Sequence, residues 1–309
     1  MPVDLDIREA AARRWTRWML LGDFESAWRE SDLIDSTGYK DPHKVWNGES
    51  WAGKRVMLRC LHGLGDAMQF IRYAPMLKQT CQYLTVQCHP ELVTLMRHVD
   101  GVDRAVTWGE DEDAWQQQLE VTELARAFRT SAYNIPSSVP YISLSDQHLR
   151  WAGERLGRRR AFRVGLVWKS STWNPKRSIP PSYLMPLLLN RRCEFYILQK
   201  GAESALPAHD IQKYANDVAD TAALMAQLDL IITVDTMAAH LAGALGVPVW
   251  ILLPARADWR WMLDRDDSPW YPTATLFRQK KEGDWKGVIT QVVESLCAVS
   301  YSANASTAP

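Results

Sequence analysis

The sequence predicts an α/β protein made of two successive doubly wound parallel lobes facing a cleft, preceded by a short helical element. Three observations predict it. From Val56 onward, β-branched runs alternate with helical runs, as a parallel sheet with crossover helices requires. The alternation restarts at Phe162, after an arginine-rich segment. The chain has 309 residues, more than one small core organises and enough for two lobes of ordinary size.

Residues from about 5 to 35, beginning "LDIREAAARRWTRWMLLGDFESAWRESDLI", place apolar side chains at helical spacing and are broken by Gly22 and Asp23. They predict a helix, a turn and a second helix. This resembles one tetratricopeptide-type unit, too little to form a solenoid, and is read as a cap on the first lobe. "DPHKVWNGESWAGK" follows as a connector rich in turn residues.

The first lobe opens with a strand at Val56–Cys60, a glycine turn, and a helix entered at Asp66 or Ala67. A strand at Tyr83–Cys88, a helix from Pro90 and a strand in "VDRAVTW" come next. "EDED" at Glu110–Asp113 reads as a solvated loop before a Gln-rich helix. The second lobe has strands in "FRVGLVW", "EFYILQ", "LDLIITV" and "PVWILL", and helices around Tyr183–Leu189, from Thr221, and after Asp235. The expected division is 1–50 for the helical element, 51–155 for the first Rossmann-like lobe and 156–309 for the second. A ligand is expected in the crevice at the carboxyl ends of the strands.

Lys plus Arg equals Asp plus Glu, 36 each, so no global field steers the chain to nucleic acid. Locally, "RWAGERLGRRRAFR" (150–163) carries six arginines against one glutamate. It reads as a solvated linker, or as a basic rim for a phosphorylated acceptor or an anionic membrane surface. No apolar run reaches membrane-spanning length and the N-terminus lacks a signal-peptide core, so the expected location is cytoplasmic, with peripheral contact at the inner membrane the one membrane role left open. Five cysteines, Cys60, Cys81, Cys88, Cys193 and Cys297, sit mostly in apolar runs and read as free thiols; Cys88 beside His89 lacks a second pair at zinc-like spacing. The final "SANASTAP" has the composition of a disordered tail.

In "VDTMAAH" a strand stops at Asp235 and a helix of small residues starts. Thr236 can cap it, the N–H groups of Met237, Ala238 and Ala239 lie in its first turn, and His240 adds a side-chain donor. This suits a diphosphate, bound by helix dipole, amides and imidazole together. Simple capping of a buried helix by Asp235 and Thr236 accounts for the same residues. In "HGLGDAMQF", Gly63 and Gly65 permit a tight turn and Asp66 emerges at the strand tip, as a general base or as an N-cap. "GLGDAM" lacks the third glycine of the dinucleotide fingerprint, which disfavours NAD. Lys169, Lys176 and Arg177 in "WKSSTWNPKRSIP" could neutralise charge on a departing phosphate, or be solvated surface cations. Asp220 could accept ribose hydroxyls or cap its helix. Trp259, Trp261, Trp270 and Tyr271 form a candidate stacking platform for a base or sugar, although many of the 15 tryptophans must be packing.

"GLGDAMQFIRYAP", "RVGLVW", "KRSIP", "DTAALMAQLDLIITVDTMAAHLAGALGVPVWILLP" and "DWRWMLDRDDSPWYP" resemble, in order over residues 50–295, glycosyltransferase family 9, the ADP-heptose:lipopolysaccharide heptosyltransferases. The likeness is to the branch often fused to tetratricopeptide repeats. The resemblance implies a GT-B-type fold of two Rossmann-like lobes and inverting sugar transfer, heptose among the candidates, from a nucleotide diphosphate donor, an ADP-sugar favoured. It implies a lipopolysaccharide-core, lipid-linked, related glycan or protein acceptor, and neither cofactor nor metal. Asp66 matches the family's general base and Lys176 its phosphate-binding lysine, with Arg177 beside it. Asp220 falls where the heptosyltransferases carry a ribose-binding Glu, and Asp235–His240 match Asp-(Ser/Thr)-Gly-x-x-His with Met237 in place of Gly. The alternative is a catalytically silent nucleotide-sugar-binding or protein-interaction module on the same fold.

Overall fold

The structure is a computed structural model and describes residues 2–39, 41, 44–110, 114–172, 174–201 and 206–305, with side chains from residue 6 to residue 302. Two compact units result: Met1–Ser138 with Ala257–Trp270, and Val139–Arg256 with Tyr271–Pro309. The chain therefore leaves the first unit, returns to it for 14 residues, and leaves again. The sequence reading ended its first lobe at residue 155 and did not foresee this return.

The first unit begins with a helical hairpin, α1 (Pro2–Leu21) and α2 (Phe24–Ser36). Gly22 at φ +77 turns the chain, a conformation open to glycine, and Asp23 caps α2 by accepting from the Ser26 N–H at 3.0 Å. The hairpin is built into the unit. Trp28 Nε1 donates to the Thr130 carbonyl at 2.7 Å, Leu263 N–H donates to the Leu20 carbonyl at 2.9 Å, and Trp15 meets Trp259 edge-on at 5.4 Å.

The sheet has the order β3-β2-β1-β4, all parallel, from β1 (Arg55–Arg59), β2 (Tyr83–Cys88), β3 (Arg104–Thr107) and β4 (Gln117–Glu120). Short helices α3 (Leu64–Phe70), α4 (Ala74–Lys78), α5 (Val93–Met96) and α6 (Glu123–Ala127) connect the strands. β4 corrects the expected Gln-rich helix. "QQLE" pairs with β1 from Val56↔Gln117 to Arg59↔Glu120, and the ladder with burial of Leu119 outweighs the helical preference of the glutamines. Asp111–Asp113 of the acidic cluster lie outside the described residues.

The second unit carries α7 (Asp146–Leu156), β5 (Phe162–Val167), α8 (Met185–Leu188), β6 (Cys193–Ile197), β7 (His209–Asp210), α9 (Val218–Met225), β8 (Leu230–Val234), α10 (Met237–Ala244), β9 (Val249–Leu253), β10 (Ala274–Arg278) and α11 (Trp285–Ala305). The parallel sheet order is β10-β9-β8-β5-β6-β7. β8 and β9 are wholly buried, which is why they read as unbroken apolar runs. α11 covers one face of the sheet through Val288, Ile289, Val292 and Leu296. It extends to Ala305, so the first four residues of the expected disordered tail are helical. No helix among the described residues is long and apolar enough to cross a membrane.

Candidate functional site

In the first unit, β1 ends at Arg59 and α3 starts at Leu64, so Asp66 is the third helical residue, not the residue that enters the helix. Gly63 is the N-cap in an extended conformation (φ −67, ψ 160) and Gly65 is already helical; neither uses the positive φ expected of a tight glycine turn. The Asp66 side chain reaches back so that Oδ2 accepts the Gly63 N–H at 3.0 Å. Its Oδ1 is ion-paired with Arg260 Nη2. Arg260 also bonds Asp258 Oδ1 at 2.8 Å and Gln69 Oε1 at 2.7 Å. Arg260 is the residue that sequence reasoning missed. Its signal was a lone cation between Trp259 and Trp261 in a segment read for its aromatics.

The aromatic platform is corrected. Trp261, Trp270 and Tyr271 are completely buried and present no ring face to a ligand. Trp270 stacks on Phe24 at 5.7 Å and meets Phe70 edge-on, while the buried Arg72 donates to the Trp270 carbonyl at 2.5 Å. Trp261 and Trp270 are core residues of the first unit, within the returning segment, whereas Tyr271 packs against Gly243 and His240 in the second unit.

In the second unit, Thr236 is the N-cap of α10, and its Oγ1 accepts the Ala238 N–H at 3.3 Å. Ala239 N–H donates to the Thr236 carbonyl at 3.0 Å. Of the three amides expected to be open, only that of Met237 makes no hydrogen bond among the described residues. Asp235 is 3% exposed and ion-paired to Arg177 at 3.3 Å. Arg177 and Lys176 share a 3₁₀ turn, Pro175–Arg177, but diverge: Lys176 pairs with Glu282 at 2.5 Å and is 75% exposed. Lys169 is exposed, its backbone N–H held by Gln199 at 2.8 Å. His240 is buried, with Nδ1 2.9 Å from the Tyr271 hydroxyl. Gly243 makes this possible, since a Cβ there would lie 2.2 Å from the Tyr271 ring.

Asp220 does not cap α9. Asp217 does, accepting the Asp220 N–H at 2.9 Å, while Asp220 Oδ2 accepts the backbone and side-chain N–H groups of Asn216 at 2.9 and 3.0 Å. The structure thus brings Arg177, Asp235 and Thr236 together at the β8–α10 junction, while Lys169 and Lys176 lie on the connection after β5 with their side chains exposed, and Asp220 lies in the first turn of α9.

No group of three or more His, Cys, Asp or Glu side chains among the described residues could hold a metal. Burial pushes the Cys88 thiol up to about 12, and its Sγ donates weakly to the Val106 carbonyl at 3.8 Å, the behaviour of an inert buried thiol. Cys60 and Cys81 are also buried and free, whereas Cys297 is exposed.

Two parallel sheets of four and six strands, with a carboxylate on the first strand–helix turn of one and a capped small-residue helix at the centre of the other, define an α/β protein of the GT-B type. Among solved structures, the glycosyl transferase family 9 protein of Veillonella parvula matches with a TM-score of 0.59 and 13% identity, over 82% of this chain and 99% of that one. The E. coli ADP-heptose lps heptosyltransferase II matches with a TM-score of 0.59 and 13% identity, over 81% and 99%. At these identities the likeness establishes the fold, that of glycosyltransferase family 9 structures. Protein FlbA of Caulobacter vibrioides is 26% identical over 341 residues, covering 96% of this chain and 56% of FlbA; the chain spans little more than half the length of this curated relative. No family model matches the chain.

Proposed function

We propose that the protein is an inverting, metal-independent glycosyltransferase that moves a sugar, a heptose being the leading candidate, from a nucleotide diphosphate donor, favoured as an ADP-sugar, to a lipopolysaccharide-core or related glycan or protein acceptor. The observation that carries this reading is Asp66, a carboxylate in the first turn of the helix that follows the first strand, held in place by Arg260 and the Gly63 amide. In this reading Asp66 removes the proton of the acceptor hydroxyl as the oxygen attacks the anomeric carbon, and the bond from that carbon to the diphosphate breaks with inversion. Negative charge then builds on the leaving diphosphate. Lys176, Arg177 and Lys169, with the start of α10 and His240, are the groups proposed to receive it, and Asp220 is proposed to hold the ribose. Lys176 has to exchange Glu282 for phosphate, which its exposure permits.

A second reading, a nucleotide-sugar-binding module without turnover, is favoured by one observation: both oxygens of Asp66 are already engaged within the unit. One experiment separates the two. Calorimetry with ADP and a panel of nucleotide sugars, followed by product analysis with candidate acceptors, yields turnover that Asp66→Asn removes if the first reading holds. Binding of a donor with no turnover and no effect of Asp66→Asn leaves the second. Failure of every nucleotide at millimolar concentration removes both.

A further inference from the structure

Six arginines fall between residues 150 and 163, and the structure divides them. Two are spent on the fold. Arg159 pairs with Asp229, while Arg163 is 4% exposed, its backbone N–H held by Asp229 at 2.8 Å and its Nη2 donating to the Gly157 carbonyl at 2.7 Å. Three others, Arg155, Arg158 and Arg160, line a cavity of about 360 Å³ on the second unit. Lys213, in the 3₁₀ turn Gln212–Tyr214 that follows β7, adds a fourth cation to its wall. The cavity reaches from the amino ends of β5 and β6 along the edge of the sheet to the end of β7, whereas the Arg177–Asp235 pair sits at the carboxyl end of the central β8. The two places are distinct.

Cations gathered around one concavity repel each other unless carboxylates or a bound anion answer them. Here the wall's own carboxylates do not. Glu194 Oε2 accepts the Tyr196 hydroxyl at 3.0 Å and Asp210 Oδ1 accepts the Lys213 N–H at 3.4 Å, and neither side chain forms an ion pair among the described residues. Arg155 has an exposed pair with Glu154 at 3.7 Å, but Arg158 and Arg160 make no hydrogen bond or ion pair among the described residues. Arg163 touches two lining residues, Gly157 and Tyr196, and its buried Nε has no partner among the described residues, so its charge adds to the field in the cavity. Guanidinium groups with open donors suit a phosphate, whose oxygens they take in pairs.

A bare phosphate would leave most of the volume to water, and pockets for small organic ligands begin near ~300 Å³. The rest of the wall suits a sugar. Tyr214 is 40% exposed and offers a ring against which the C–H face of a pyranose can pack, beside the tilted rings of Tyr196 and His209, 5.4 Å apart. Glu194 and Asp210 each keep one oxygen that accepts nothing among the described residues, and such oxygens take hydroxyl protons. Nucleic acid fits poorly, because the chain as a whole is neutral and these cations ring one concavity instead of following a stripe. We propose that this cavity is a second ligand site that binds a phosphorylated sugar, with the phosphate on Arg158, Arg160 and Lys213 and the hydroxyls on Glu194 and Asp210.

Calorimetry on the full chain with glucose 1-phosphate, glucose 6-phosphate, glucose and inorganic phosphate tests the site, and none of these readouts needs turnover. A sugar phosphate should bind at millimolar concentration or below, more tightly than phosphate, and glucose should not bind. Joint Arg158→Gln and Arg160→Gln substitution should weaken the sugar phosphate at least about tenfold. Both arginines are exposed and unpaired, so the variant should melt with the wild type. Lys176→Ala, at the proposed donor site, should leave this affinity unchanged, and Tyr214→Ala should weaken the sugar phosphate but not phosphate. Unchanged affinity in the double arginine variant, or no binding of either sugar phosphate, overturns the proposal. Loss of binding in Lys176→Ala alone places the ligand at the donor site and overturns it too. Equal affinity for phosphate and the sugar phosphates overturns the assignment of a sugar. Sedimentation with phosphatidylglycerol–phosphatidylcholine vesicles that the double arginine variant abolishes, without sugar-phosphate binding, makes the segment a membrane-facing surface and overturns the proposal.

Discussion

Asp66 and Arg260, 194 residues apart in the chain, form an ion pair within one compact unit, and Arg260 is held in turn by Asp258 and Gln69. Asp66→Asn keeps the shape of the side chain and removes its basicity. On the proposed transferase reading, transfer should fall about 10²- to 10⁴-fold while nucleotide affinity is unchanged, measured by steady-state kinetics and calorimetry on the same preparation. Arg260→Gln leaves Asp66 and Asp258 facing each other without their cation, and urea unfolding should show a loss of about 1–3 kcal/mol.

The two cations of the Pro175–Arg177 turn should separate stability from binding. Arg177→Ala removes the ion-pair partner of Asp235, whose side chain is 4% exposed, and should destabilise the second unit by about 1–3 kcal/mol. Lys176→Ala removes an exposed pair and should change stability by less than about 1 kcal/mol. If Lys176 holds the donor diphosphate, the same variant weakens ADP binding about tenfold, equivalent to roughly 1.4 kcal/mol. Thermal melts with and without ADP read both effects.

Two glycine-to-alanine substitutions should act in opposite directions. At Gly243 the new methyl group meets the buried Tyr271 ring, and overpacking of this kind costs about 1–3 kcal/mol. It also displaces the hydroxyl that holds His240. At Gly153, inside α7, nothing is closer than Gln227 Oε1 at 3.7 Å, so alanine should add about 0.5–1 kcal/mol through helix propensity. Melting temperatures should move down for the first and up for the second.

Stability should fall as pH rises from about 4.5 to about 7. Burial raises Glu120 from the usual carboxylate range to about 7, so between those values the folded chain binds the proton that the unfolded chain has lost. Linkage makes the folded state less favoured with each step up in pH until Glu120 ionises, a cost of up to about 3 kcal/mol for this group. Glu120→Gln should remove that slope. Denaturant midpoints at pH 5, 6, 7 and 8 for both proteins test it.

The strands most easily read from sequence were β1, β2, β8 and β9. Their β-branched runs meet glycine or proline punctuation, and in the parallel sheets they lie largely buried, so composition and structure agree. β4 was hidden because four residues, two of them glutamine, carry no β signal of their own; the ladder with β1 makes the strand. Capping residues were misplaced by a turn or less. Asp66 and Asp220 sit at the third helical position and reach back, while Gly63 and Asp217 hold the caps, a distinction that hydrophobic period does not register. The Arg177–Asp235 pair joins residues 58 apart and Arg260–Asp66 residues 194 apart, and no local pattern specifies either. Tryptophans 261 and 270 were legible as a cluster, but burial decides between packing and recognition, and burial is tertiary.

The brief return of residues 257–270 to the first unit sets an order of events in biosynthesis. A ribosome adds about 5–20 residues per second, so the Asp66 turn waits for nearly 200 further residues before its arginine exists. Strands β5, β6, β8 and β9 of the other sheet are all translated in that interval. Until then the pocket that receives Trp261 and Trp270 lacks its filling, and Asp66 lacks its countercharge. A nascent chain stopped before residue 257 would hold the Asp66 carboxylate without Arg260, and the ion pair would form only after most of the polypeptide had been made.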